Sequence, residues 1–277
     1  MCEFCARHGD GAAWYLNAEN YAVDLTADLQ RRGYVVTFLA DFAERRARAI
    51  RGLELLRLVP APLAAPVRRR VTEALQRDHF GQPVTIEECA EVLGITSSIV
   101  NLPCPCRRFA GRPDEGYCLA ITTRPADDVL GEGMRDWEGG PDTRGLQRLS
   151  REEALGLVER AEERRLMHSV WTFKTPFIGA ICNCDLASGC MAMRIQLRYR
   201  TRIMWRGEHV ARLDREACAG CGECASACPF GALSRTREGV SLEARACYGC
   251  GVCRRACSAG ALSLARRAEV AEVASVW

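Results

Sequence analysis

Two cysteine runs constrain the folding of this chain more than any other feature. Cys218, Cys221, Cys224 and Cys228 lie in CAGCGECASACP, and Cys247, Cys250, Cys253 and Cys257 lie in CYGCGVCRRACS. Each run is C-x2-C-x2-C-x3-C, and the two begin 29 residues apart. Such a run wraps a short loop around a four-iron cubane, and its fourth cysteine reaches across to the other cluster. One cluster then takes Cys218, Cys221, Cys224 and Cys257, and the other takes Cys247, Cys250, Cys253 and Cys228. Gly220, Gly222, Gly249 and Gly251 lie between the ligands, where a missing side chain lets backbone N–H groups approach the sulfides. Gly231-Ala232-Leu233 and Gly260-Ala261-Leu262 follow the runs and mark an internal duplication.

On these motifs, residues 211–265 resemble the bacterial two-cluster ferredoxin family. The resemblance implies a βαββαβ fold, two [4Fe-4S] clusters and one-electron transfer at low potential. Ser258 departs from it, because the family usually carries proline after the last cysteine.

The chain has 277 residues, enough for two domains or a domain plus a module. Its opening, MCEFCARHGDG, is not a secretory signal, and no apolar run reaches the length of a bilayer span. Seventeen cysteines without an export signal point to metal binding in a reducing cytoplasm rather than to disulfides. The formal charge of +3 counts those cysteines as neutral. A cubane on four thiolates carries roughly −2 when oxidised, so two of them take the total to about −1. That balance gives no case for nucleic acid as a partner.

Nine cysteines lie outside the two runs. Cys89 falls within a helical pattern and reads as a small buried hydrophobe. The other eight are Cys2, Cys5, Cys104, Cys106, Cys118, Cys182, Cys184 and Cys190. Cys104-Pro-Cys106 plus Cys118 mirrors Cys182-Asn-Cys184 plus Cys190, and short C-x-C pairs at strand ends can deliver two thiolates to one pocket. A further iron–sulfur cluster is the leading reading, with zinc or metal-free redox thiols as alternatives. His168 lies in the right neighbourhood, although a lone histidine is more often a cap or a buried polar group. Lys174, the single lysine against 37 arginines, is the other cation near these cysteines. Cys2, Cys5 and His8 form a C-x-x-C-x-x-H opening that could complete a site. Residues 83–190 resemble a cysteine-rich region of poorly characterised iron–sulfur proteins of anaerobic bacteria. The matching residues are Pro103, Cys104, Cys106, Arg107, Cys118, His168, Cys182, Asn183 and Cys184, and no activity comes with them.

The fold class expected is α/β or α+β. A helical segment over 1–66 leads to a cysteine-rich mixed domain over 67–210, a two-cluster module over 211–265 and a helical tail over 266–277. Helices are expected over 14–32, 37–58 and 67–80, with Pro60, Pro62 and Pro66 as a stiff connection. Thr85-x-x-Glu88 and Ser150-x-x-Glu153 are capping boxes that open two more helices. Ile95–Leu102 reads as a buried strand, and 110–145 as loop. Strict alternation over Arg194–Arg206 reads as an amphipathic strand or hairpin, with an arginine face that is solvated or docks an acidic partner.

No nucleotide, flavin, haem or radical-chemistry motif is present. The expected function is therefore an iron–sulfur electron carrier that serves as donor or subunit of a larger oxidoreductase. The alternatives are a redox enzyme with an open upstream centre, and a cluster carrier or redox sensor.

Overall fold

The computed structural model describes residues 13–112, 116–133 and 146–277. Cys2, Cys5 and His8 lie outside the described residues. In chain order the upstream elements are α1 (Leu29–Ala40), α2 (Phe42–Leu58), α3 (Ala61–Asp78), β1 (Gly81–Val84), α4 (Ile86–Ile95), β2 (Ser98–Leu102), α5 (Pro105–Phe109), β3 (Cys118–Thr122) and α6 (Asp127–Gly133). There follow β4 (Gln147–Leu149), α7 (Arg151–Glu163), β5 (Met167–Thr172), β6 (Ile178–Cys184) and the short α8 (Met191–Met193). Six of the strands form one antiparallel sheet in the order β1-β5-β6-β3-β2-β4.

Strand period two sorts the side chains of this sheet. Leu119, Ile121, Val170 and Ile181 face a core built with Val92 and Leu93 of α4 and Leu157 and Val158 of α7. Both of these helices open with the expected capping box, Thr85 with Glu88 and Ser150 with Glu153. The other face carries Cys118, Ala120, Cys182, Cys184 and Trp171, and is covered by α1, α2 and α8.

The C-terminal part runs β7 (His209–Leu213), α9 (Glu223–Ala227), β8 (Leu233–Thr236), β9 (Gly239–Leu242), α10 (Val252–Ala256) and β10 (Leu262–Arg266). β7 pairs with β10 and β8 with β9, which is the βαββαβ arrangement expected for the module.

Several expectations need correction. Residues 14–27 form three 3-10 turns, not α-helix. The Asn17 side chain accepts from Glu19 N, Asn20 Nδ2 donates to Trp14 O, and Tyr21 Oη donates to Tyr15 O. Such local side-chain bonds compete with a helix. Pro62 and Pro66 lie inside α3 rather than in a connection. The stretch 110–145 contains β3 and α6, and β3 leaves no periodic signal because it is buried on both faces and shows no alternation.

Arg194–Arg198 is a turn of π-helix rather than strand. Ile195 and Tyr199 are four residues apart, so they share a helix face as readily as a strand face. Gln196, which alternation would place among the arginines, is buried. Its Oε1 accepts from Ile203 N at 2.9 Å and Met204 N at 3.2 Å, and its Nε2 donates to Tyr248 Oη. Beyond it the chain runs extended beside β1, through Gly81 N to Ile203 O and Trp205 N to Gly81 O. The tail is helical only as a 3-10 turn at Arg267–Glu269.

Candidate metal centres

Six cysteines converge on the cysteine-bearing face of the large sheet. β6 places Cys182 and Cys184 two residues apart, hence on one face, and Cys118 of β3 is the direct register partner of Cys182. Leu102, opposite Cys118, ends β2, and the chain then turns through Cys104 into α5, which carries Cys106. Cys190 arrives from a loop tied by Ser188 N to Asp185 Oδ1 at 2.6 Å and Cys190 N to Asp185 O at 3.2 Å. Gly189, at φ 90°, lets this loop touch α5, since a Cβ there would lie 2.5 Å from the Ala110 Cβ. All six thiols line one cavity of about 90 Å³.

The thiols also touch one another. Hydrogen bonds from Cys106 and Cys118 hold the Cys104 thiol down at about 3, helped by the backbone N–H groups of Arg107 and Cys106. The same contacts with Cys104 push Cys106 and Cys118 up, and contact with Cys190 pushes Cys184 up. The backbone N–H of Met191 points at Cys106, so α8 closes the ring against α5. Among the described residues no three Cys, His, Asp or Glu side chains converge as a single-ion site requires. The six thiols thus form a linked set of contacts along the wall of the cavity.

His168 and Lys174 do not take part. His168 faces the opposite side of the sheet, fully buried, with Nδ1 bonded to Asn183 Oδ1 at 2.6 Å and Nε2 to Glu162 Oε2 at 2.9 Å. Asn183 Nδ2 donates to Tyr117 O, so the middle residue of C-N-C locks the strand from behind. Lys174 lies in the β5–β6 turn at φ 59°, with its backbone N–H on Asp78 O. Cys89 is fully buried in the α4 core, and burial pushes its thiol up.

Sequence reasoning missed Arg46 of α2 and His79, which line the cysteine cavity with Phe38, Phe42, Trp171 and Phe173. Nothing distinguished Arg46 from the other arginines of α2, and His79 has no neighbouring motif.

In the C-terminal module the cysteines gather as two sets. Burial pushes the Cys224 thiol up, and the neighbouring thiols of Cys257, Cys218 and Cys221 act in the same direction. Burial likewise raises Cys250, whose thiol neighbours are Cys253, Cys247 and Cys228, and pushes Cys253 up to about 12. The fourth cysteine of each run thus lies with the first three of the other. Backbone N–H groups of Ala211 and Gly249 reach Cys247 Sγ, each at 3.4 Å, and Ala232 N reaches Cys228 Sγ at 3.3 Å. Gly220, Gly222, Gly249 and Gly251 all have positive φ, between 67° and 80°. In the first set Cys221 is exposed, whereas Cys247, Cys250 and Cys253 of the second are buried.

Residues 211–234, which hold the first run, match the family model of the 4Fe-4S binding domain, Fer4. This chain has a 4Fe-4S binding domain. It thus has a site for at least one [4Fe-4S] cluster, and the residues present fit it: four cysteines at cubane spacing, with backbone donors aimed at sulfur. A stretch of 63 residues is 38% identical to a tetrathionate reductase subunit from Archaeoglobus fulgidus. It covers 22% of this chain and 28% of that protein, so the likeness spans under a third of the relative. No described helix is long and apolar enough to cross a membrane.

Proposed function

We propose that this protein transfers electrons through iron–sulfur clusters and works as donor or subunit of a larger oxidoreductase. Cys218, Cys221, Cys224 and Cys257 hold one [4Fe-4S] cluster, and Cys247, Cys250, Cys253 and Cys228 hold a second. A third iron–sulfur centre occupies the cavity lined by Cys104, Cys106, Cys118, Cys182, Cys184 and Cys190. Zinc on four of these thiols is the alternative, since sets of four cysteines also suit that ion.

The observation that carries this reading is one apolar core. Cys184 and Cys190 of the upstream site share it with Tyr248, Cys250 and Val252 of the module, and Met191, Met193 and Ile195 belong to the same core. Packed side chains, not solvent, separate the buried module cluster from the upstream thiols. The other module cluster reaches the surface at Cys221, beside a groove lined by Arg164, Arg165 and Glu223, and this is where an external redox protein exchanges electrons. The name of the archaeal relative, a reductase subunit, supports a multi-subunit setting. So does the exposed apolar row Leu55, Leu58, Leu63 and Val67 on α2 and α3.

Iron, acid-labile sulfide and zinc per chain, measured on oxygen-free protein, test the reading. About twelve irons without zinc are expected, with three separately titrating paramagnetic signals. About eight irons remove the upstream cluster, and about four remove the second module cluster as well. Transfer of a cluster to an apo-ferredoxin, with the fold retained, favours a carrier instead. A redox enzyme is the second reading, favoured by the two hydrogen-bonding side chains in the wall of the upstream cavity.

A further inference from the structure

The two cysteine sets of the module lie in opposite surroundings. Cys221 of the outer set is exposed, whereas Cys247, Cys250 and Cys253 of the inner set are buried. Reduction adds negative charge to an anionic cluster, and a buried site disfavours that charge more than a site open to water. Burial alone would therefore hold an electron that enters at Cys221 on the outer cluster.

Two guanidiniums oppose this. Arg267 is fully buried, and Arg206 is buried beside it. Arg267 Nη2 donates to Cys247 O and His209 O, each at 2.8 Å, and its Nε donates to Gly207 O at 2.9 Å. Arg206 Nη2 donates to Arg245 O at 2.9 Å, and its guanidinium lies 4.8 Å from the centroid of the Tyr248 ring. The two side chains thus clasp the loop 245–248 that carries Cys247. Burial pulls the Arg267 pKa down to about 10, the Cys247 thiol pulls it back up and Arg206 lowers it again. One buried carboxylate, Glu208, faces Arg267, and it also accepts from Gln82 Nε2 at 3.5 Å. Arg267 Nη1 and Arg206 Nε have no acceptor among the described residues. Adjacent buried cations are unfavourable unless an anion lies close. Cluster thiolates at Cys247 meet that need, and the attraction grows when negative charge is added there. At the outer set the groove beside Cys221 carries Arg164 and Arg165, and Arg165 is half-exposed and paired with Glu223, so water screens its charge.

We propose that Arg267 and Arg206 hold the inner cluster at a higher reduction potential than the outer one, which directs electrons inward from Cys221. The external redox protein supplies each electron. It is taken up at the outer cluster and passed singly to the inner one, with no bond or proton exchanged. From there the core of Tyr248, Cys250 and Val252 leads on to Cys184 and Cys190. The inference rests on the two-cluster reading of the module.

Potentiometric titration of the full chain tests it, followed by the paramagnetic signals with iron counted in every sample. Cys221→Ser identifies the outer signal by altering it. In the wild type the inner signal should titrate at the higher potential. Arg206→Gln should lower the inner signal about tenfold in its reduction equilibrium, or about 59 mV for one electron, and leave the other signals in place. Arg267→Gln should lower the same signal, and Arg267→Lys, which keeps the charge, should restore most of the loss. A purely structural role would make lysine and glutamine equivalent. Because Arg267 also braces the Cys247 loop, Arg206→Gln decides the case if Arg267→Gln loses iron. Unchanged potentials in Arg206→Gln at full iron content overturn the proposal, as does an outer signal at the higher potential in the wild type. About four irons per chain would remove the inner cluster, and the two-cluster reading would fall together with the proposal.

Discussion

Gly249 packs with no room beside its neighbour: a Cβ there would lie 2.1 Å from His209 O, at a φ of 74°. Gly231 has nearly the same φ, 68°, but open space around it. Alanine at Gly231 is expected to cost about 1 kcal/mol from backbone strain alone. Alanine at Gly249 must also push β7 away, and should lower iron incorporation as well as thermal stability. Equal melting temperatures and iron contents for the two variants would refute this account. His79 gives a pH dependence. Its folded pKa of about 3 lies below the ordinary histidine value of about 6.5, so the unfolded chain takes up the proton first. The contribution is complete above about pH 6.5 and declines as pH falls toward 3, with about 2 kcal/mol lost by pH 5. Denaturation at pH 7 and pH 5 should show that loss in the wild type and not in His79→Phe.

The elements that order the site are short, and each depends on a few polar anchors. Glu88 closes the α4 capping box through Thr85 N, accepts from Tyr15 Oη and lies 3.3 Å from His209 Nδ1 of the module. One side chain thereby ties the start of α4 to the N-terminal turns and to β7. Thr85→Ala should cost about 1–2 kcal/mol in chemical denaturation, and the exposed cap Ser150→Ala should cost less. The reverse order would mean that the Glu88 network adds nothing. Both boxes were legible because a cap is a local pattern of four residues. β5 was not, since Met167–Thr172 is buried throughout and its partners β1 and β6 are distant in sequence.

At the scale of the whole molecule, the module and the cysteine-rich part share a core and are also bridged by surface ion pairs. Arg165–Glu223 and Arg254–Glu87 cross between them at 3.3 and 2.7 Å, on largely exposed side chains. Pairs of this kind contribute under about 1 kcal/mol each, so Arg165→Ala and Arg254→Ala should barely shift the melting temperature. Gln196→Ala should be far more damaging, at about 2–4 kcal/mol, because it strips partners from two buried backbone N–H groups and from Tyr248. Arg267 has the same character at the end of β10. It is fully buried and donates to Gly207 O, His209 O and Cys247 O, so Arg267→Ala should loosen the loop of Cys247 and lower iron retention. Full iron retention in that variant would show that Cys247 is held by other contacts.

The sequence alone determined the module, because eight cysteines at fixed spacing encode their own loop geometry and leave little to distant contacts. It also marked the six upstream cysteines as a group, since C-x-C on a strand puts both thiols on one face. Tertiary structure decided how that group is used. Only the pairing of β3 with β6 brings Cys118 beside Cys182, and only packing of α2 against the sheet brings Arg46, with His79, to the same cavity. His168 went the other way for the same reason, because a one-residue step along β5 reverses the face and turns the expected candidate toward Glu162 and Asn183. Those outcomes depend on which strands become neighbours, and that is set by burial summed over the whole chain rather than by any local pattern.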